Sequence, residues 1–204
     1  MKLFAGLVPY IAVLIGMYLL HSAWAALLLY HVGIIAFLLI FRPFNIWKKA
    51  WAGLKTPLLF PSIGICAMVA PVIYFMWPWF AASPSILPEW LAGLGLTGLS
   101  WILLIPYFSI VHPMLEEIHW RGIAPDPFKW LSWQDLLFAG YHVLVLFQLL
   151  HWPWLFLVFG VLVGSSIFWR WAASTFGGYG LTILTHATAD AGVVVGAWLL
   201  LQHG

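Results

Sequence analysis

Three carboxylates and two imidazoles stand where an apolar chain has least reason to carry them. Glu116 and Glu117 adjoin inside one long apolar stretch, His142 lies in a second, and His186 and Asp190 lie in a third. A carboxylate at the centre of a membrane helix costs about 2.5–3.5 kcal/mol on insertion scales. Such groups persist where they are paired, reached by water or used. A carboxylate near imidazoles can take a proton from water, and the same residue types can bind a divalent metal.

Their spacing sorts them. Glu117 and Arg121 are four apart, acid first, which favours an ion pair on one helical face. Glu116 is about 100° further round the helix and faces different neighbours, so one acid is neutralised locally and the other is free. Pro113, three residues upstream, either kinks this helix or opens a short one, and both outcomes make room for water near Glu116. His186 and Asp190 are also four apart and share a face, so Asp190 can fix the imidazole tautomer.

The elements that carry these groups follow from composition. The chain has 204 residues, 64% hydrophobic and 7% charged, against about 25% charged in ordinary soluble domains. Nothing remains to cover a water-facing surface, so the bilayer is the solvent. The expected fold is all-α: a polytopic membrane helical bundle of about seven transmembrane helices, forming one integral membrane domain over 1–204. The spanning stretches are roughly 3–20, 22–41, 58–80, 93–120, 133–150, 154–173 and 179–201. Lys2, an apolar run and Ala23-Trp24-Ala25 mimic a signal peptide, but the run is long and a second comes at once, so a first membrane helix is expected. Cys66 is the single cysteine, which excludes an intramolecular disulfide and a thiolate zinc cluster.

Placing the N-terminus in the cytoplasm puts Lys2, Arg42, Lys48, Lys49, Lys55, Arg121, Lys129 and Arg170, every basic residue of the chain, on that side. The outer side then holds His21, Glu89, His151 and His203, and the positive-inside rule is satisfied. Tryptophans cluster near both boundaries, as an indole with one wet edge prefers. Phe44, Trp47, Trp51 and Leu54 recur at helical spacing beside Lys48, Lys49 and Lys55, which predicts a short interfacial helix on anionic headgroups. Gly160-x-x-x-Gly164 and Gly192-x-x-x-Gly196 predict close helix packing. On this topology Glu116 lies near the inner end of its helix, with His142 and His186 about nine and seven residues from theirs, or roughly 10–14 Å deep. The groups can converge in the inner half of the bundle. The expected setting is a cell inner membrane, multi-pass.

Three motifs now stand in order on separate helices: Glu116-Glu117-Ile118-His119-Trp120-Arg121 as E-E-x-x-x-R, Phe138-Ala139-Gly140-Tyr141-His142 as F-x-x-x-H, and His186-Ala187-Thr188-Ala189-Asp190 as H-x-x-x-(N/D). This combination resembles the CAAX-processing and bacteriocin-processing (CPBP or Abi) protease family of glutamic type, over a core of about 112–195. The resemblance implies an intramembrane endopeptidase that hydrolyses a peptide bond of a membrane-associated protein or peptide. Carried onto matching positions, Glu116 is the general base and His142 shares the water. His186 and the residue at 190 stabilise the oxyanion, while Glu117, Arg121 and Phe138 support the architecture. The resemblance implies no cofactor, no metal and no nucleic-acid partner. Family members with asparagine at the last position have an amide donor there. Ionised Asp190 cannot donate, so it is expected to act through His186, orienting the ring and stabilising the imidazolium.

Two rivals use the same residues. A zinc protease would take its ligands from Glu116, His142, His186 and Asp190, although no H-E-x-x-H is present. His112 and His119 flank Glu116, but Pro113 disturbs a one-helix site, and both histidines are expected at the interface. A proton-coupled transporter would use intramembrane Glu, His and Asp as a relay, but no such relay reaches the outer side, and no inverted repeat is evident. His31 reads as a packed or hydrogen-bonded histidine in the second span.

Overall fold

A computed structural model describes residues 2–41, 45–83, 85–123 and 130–203. Arg42, Phe44 and Lys129 lie outside the described residues. Among those described the chain is all-helical, with one isolated bridge between Ala81 and Leu150. Helix α1 (Lys2–Val13) continues as a π-helical segment, Leu14–Leu19, before α2 (Ala23–Phe41). A short α3 (Ile46–Ala50) precedes α4 (Leu59–Ala67) and α5 (Val69–Phe80), which are broken only at Met68. Next come α6 (Ile86–Gly93), α7 (Gly98–Pro106) and α8 (His112–Glu117). The chain ends with α9 (Trp133–Leu146), α10 (Trp152–Thr175) and α11 (Gly180–His203).

Five of the described helical segments are long and apolar enough to cross a bilayer: Ala23–Phe41, Leu59–Phe80, Gly98–Gly122, Trp152–Thr175 and Gly180–Gln202; Phe4–Leu19 is a shorter apolar helix. Each falls on a stretch anticipated from hydropathy. The stretch expected at 133–150 ends as a helix at Leu146. Its 14 residues rise about 21 Å, short of the roughly 30 Å hydrocarbon core. The stretch expected from residue 93 starts instead at Gly98, because α6 forms a separate short helix before it.

The surface is inside-out relative to a soluble protein. Val32, Ile35, Leu39, Phe60, Ile65, Phe75, Phe156 and Val161 are exposed, while Glu116, Glu117, His119 and Asp135 are fully buried. In water this distribution would favour aggregation; in lipid it leaves apolar side chains against tails and polar ones inside the bundle.

Helix α11 is central, packing on α4, α5, α8 and the π-segment that precedes α8. Gly192 and Gly196 make the α5 contact possible. A Cβ on either would stand 3.0–3.1 Å from Val69 or Ile73. Gly160 and Gly164 behave differently: a Cβ on either would meet nothing within 4 Å among the described residues. That small-residue motif is therefore not a packing seam within the described residues.

Backbone hydrogen bonds sort the connections onto two sides. On one, Tyr179 N donates to Lys49 O at 2.7 Å and Gly180 N to Ala52 O at 2.8 Å. On the other, Ala23 N donates to Leu94 O at 3.0 Å and His151 N to Phe80 O at 2.9 Å. Lys48 and Lys49 are exposed on the first side. The anticipated interfacial helix is one short turn: Ile46 and Ala50 are its buried positions, Trp47 and Trp51 lie exposed beside the lysines, and Gly53 at φ +82° turns the chain away.

Candidate active site

The helix carrying the paired glutamates is irregular where it matters. Residues Tyr107–Val111 and Ile118–Ile123 are π-helical, and the six-residue α8 lies between them with Pro113 in its first turn. Proline removes a backbone donor and crowds the preceding turn, and a π-turn absorbs the misfit. Each such turn adds a residue and rotates the helix beyond it, so Pro106 and Pro113 help to set where Glu116 and Glu117 point.

Glu116 is held asymmetrically. Its Oε1 accepts hydrogen bonds from Tyr30 Oη at 3.1 Å, from Trp120 Nε1 at 3.3 Å and from Tyr141 Oη in a short contact. Its Oε2 has no hydrogen-bond partner among the described residues. Two imidazole nitrogens approach it at 3.4 Å, Nε2 of His112 and Nε2 of His186. The carboxylate is thus anchored through one oxygen while the other faces a cluster of imidazoles.

Glu117 takes the expected partner and an unexpected one. Arg121 Nε lies 3.2 Å from Oε2, and His186 Nδ1 lies 2.9 Å from Oε1. The two acids therefore meet again across one ring, with Glu117 at its Nδ1 and Glu116 at its Nε2. Asp190 Oδ1 is 3.6 Å from that same Nε2. Glu117 thus makes a shorter contact with the His186 ring than Asp190 does. Trp169 stacks on the ring with centroids 4.6 Å apart, and Phe138 meets it edge-on at 6.0 Å.

On α9, Phe138 O accepts a hydrogen bond from His142 Nδ1 at 2.8 Å. A carbonyl can only accept, so in the neutral ring Nδ1 carries the hydrogen and Nε2 the lone pair. That Nε2 is 3.1 Å from Tyr141 Oη. Phe138 also lies beneath the Arg121 guanidinium, 5.8 Å from its ring centroid, a cation–π distance. Glu116, His142 and His186 each offer an atom within 4.8 Å of the others'. A carboxylate and two imidazoles at that separation can share one water or hold one metal ion.

The chain therefore brings together Glu116, His142, His186, Asp190, Glu117, Arg121 and Phe138, all of the site residues chosen from sequence. His112 and His119, expected at the interface, are both buried instead. His112 stands beside Glu116, and His119 Nε2 donates to Ala5 O at 2.9 Å. His31 is buried and hydrogen-bonded, as expected for a core histidine. Tyr30 and Tyr141 join the cluster without having been singled out by sequence, and Trp120 and Trp169, expected among the boundary tryptophans, are buried in it instead. Tyr141 and Trp120 occupy unspecified positions of the motifs, where helical spacing from Glu116 and His142 could have marked them. Tyr30 had only its adjacency to His31 as a signal.

A buried ion pair braces the site from behind. Arg170 Nη2 lies 2.7 Å from Asp135 Oδ2, and Ser166 Oγ donates to Asp135 Oδ1 at 2.8 Å. Arg170 is thus a buried cross-link between α10 and α9.

A protein-family model described as type II CAAX prenyl endopeptidase Rce1-like matches residues 97–192. Those residues form a domain of the CPBP/Abi protease family. No curated protein and no solved structure matches the chain significantly. The family domain begins just before α7, ends two residues beyond Asp190, and contains all three motifs. The match implies a peptide hydrolase. Tyr30 and His31, on α2, lie outside the family domain yet reach the same cluster.

Proposed function

We propose that the protein is an intramembrane endopeptidase in which Glu116 activates water against a peptide bond of a membrane-associated substrate. The observation that carries this reading is the asymmetry of Glu116: three donors hold Oε1, while Oε2 faces His186 and stands in one cluster with His142. A water shared by Oε2 and His142 Nε2 loses one proton to Glu116 as its oxygen bonds to the carbonyl carbon. The carbonyl oxygen becomes the oxyanion. Carboxylates adjoin both nitrogens of His186, and a doubly protonated ring satisfies them, so its Nε2–H can turn to the oxyanion. Asp190 stabilises that imidazolium. Collapse of the tetrahedral species breaks the C–N bond, and the proton held by Glu116 passes to the leaving nitrogen. A preorganised donor at the oxyanion is worth about 3–4 kcal/mol.

The bundle crosses the membrane seven times in this reading, with α1 and α9 as its two shorter crossings. The N-terminus and the Lys48–Lys49 side face the cytoplasm, because lysines favour that side. The site opens towards that face, and the protein resides in a cell inner membrane. The cleaved segment belongs to a membrane-associated protein and is cut near the cytoplasmic surface.

A metal-dependent reading rests on the same triplet, since Glu116, His142 and His186 make three ligands of the usual kind. Purified protein in proteoliposomes, given an internally quenched farnesylated peptide ending in a CAAX sequence, tests both readings. Cleavage that survives chelation and is lost in His142→Ala and His186→Ala supports the glutamate mechanism. Loss on chelation with recovery on added zinc supports the metal. If the peptide is untouched, comparing membrane proteomes that contain the wild-type chain or Glu116→Gln finds the substrate.

A further inference from the structure

We infer that helix α2, outside the family domain, is a working part of the catalytic centre. Tyr30 and His31 set the two oxygens of Glu116, the first directly and the second through His112. The inference deepens the general-base reading and rests on it.

The two residues are adjacent, and neighbours on a helix diverge by about 100°. They therefore reach the carboxylate from different directions. Tyr30 Oη donates to Oε1 at 3.1 Å. His31 opens a chain: Tyr107 Oη lies 2.7 Å from its Nδ1, and its Nε2 lies 3.1 Å from Nδ1 of His112. His112 Nε2 then stands 3.4 Å from Oε2. His31 and His112 are buried, so water does not replace a missing partner easily.

Only two arrangements of hydrogens satisfy this chain with neutral rings. In one, Tyr107 donates to His31 Nδ1, His31 Nε2–H donates to His112 Nδ1, and His112 presents Nε2–H to Oε2. In the other every bond is reversed, and His112 presents a lone pair to Oε2. An ionised carboxylate only accepts, so the first arrangement accompanies the base form of Glu116 and the second its protonated form. His112 is thus a positioning residue that faces Oε2 at 3.4 Å, an electrostatic approach longer than a full hydrogen bond, and His31 and Tyr107 decide which of its nitrogens carries the hydrogen. The same device lets the surroundings adapt when the carboxylate takes its proton, by shifting hydrogens along existing bonds and without moving a helix.

Four variants separate this role from the base assignment. Glu116→Gln examines the base alone. His112→Phe removes the donor at nearly constant shape, while His112→Gln restores an N–H at a comparable reach. His31→Phe leaves His112 in place with its tautomer unfixed. With the farnesylated CAAX peptide, His112→Phe should lower kcat by about tenfold or more at nearly unchanged KM, and His31→Phe by less, with His112→Gln recovering most of the loss. Independently of any substrate, the infrared carboxylate band of ¹³C-glutamate-labelled protein, assigned to Glu116 by subtracting Glu116→Gln, should move in His112→Phe and His31→Phe. It should return towards its original position in His112→Gln. A band unmoved in folded His112→Phe and His31→Phe overturns the inference while leaving the base intact. So does a His112→Gln enzyme as slow as His112→Phe. Activity retained by Glu116→Gln overturns the base reading itself.

Discussion

His186 Nδ1 lies 2.9 Å from Glu117 Oε1, so the second acid of the E-E pair orients the histidine of another helix. Its other oxygen faces Arg121. Glu117 is therefore a junction between α8, the turn after it, and α11. Had it only balanced Arg121, the Nδ1 side of His186 would lack its carboxylate.

Glu117→Gln should damage both links. Arg121 would lose its anionic partner in a buried position, and breaking a buried ion pair costs about 3–5 kcal/mol. The variant should melt well below wild type in detergent, and kcat should fall as His186 loses the carboxylate at its Nδ1. Thermal unfolding followed by circular dichroism, read beside the cleavage rate, checks both. Wild-type melting with wild-type activity would remove Glu117 from the junction.

The Asp135–Arg170 pair is a structural brace. Asp135→Leu or Arg170→Met alone should destabilise the bundle by about 3–5 kcal/mol, because each strands a buried charge. The double variant should recover much of that loss, since apolar replacements of a buried pair are often neutral. A double-mutant cycle in detergent measures the coupling. Strictly additive losses would show that the pair contributes nothing as a pair.

Tyr141→Phe removes one of the three donors to Glu116 Oε1. A hydrogen bond to a charged group contributes about 1.5–3 kcal/mol, so kcat should fall by about 10- to 100-fold if the carboxylate geometry depends on it. The aromatic contacts with Trp120 and Phe138 survive the substitution, so the fold should persist, with melting lowered by no more than the lost hydrogen bond contributes. Steady-state kinetics of the purified variant decides the point.

Sequence carried the long helices and the three motifs because both are local or ordered properties. Hydropathy marked the apolar stretches behind α2, α4–α5, α10 and α11, and i, i+4 spacing gave the Glu117–Arg121 pair. What it could not carry depends on rotation between helices. The meeting of both glutamates on His186 depends on how α8 is turned by the π-segments that flank it. The burial of His112 depends on α2 lying beside α8, which no pattern within either helix announces. The Arg170–Asp135 pair is not legible in sequence because its two partners come from different helices, 35 residues apart. Gly160 and Gly164 read as a packing motif, whereas only neighbouring helices decide which small-residue stripe is covered.

The proposed mechanism stands or falls on the Glu116 carboxylate taking the proton of the attacking water. Glu116→Gln preserves the shape and removes the base, and its single-turnover cleavage rate in proteoliposomes is the direct measure. The expected result is a loss of about 10³-fold or more with peptide binding retained, in line with removal of a general base that acts together with its neighbours. Cleavage at the wild-type rate by folded Glu116→Gln would contradict it.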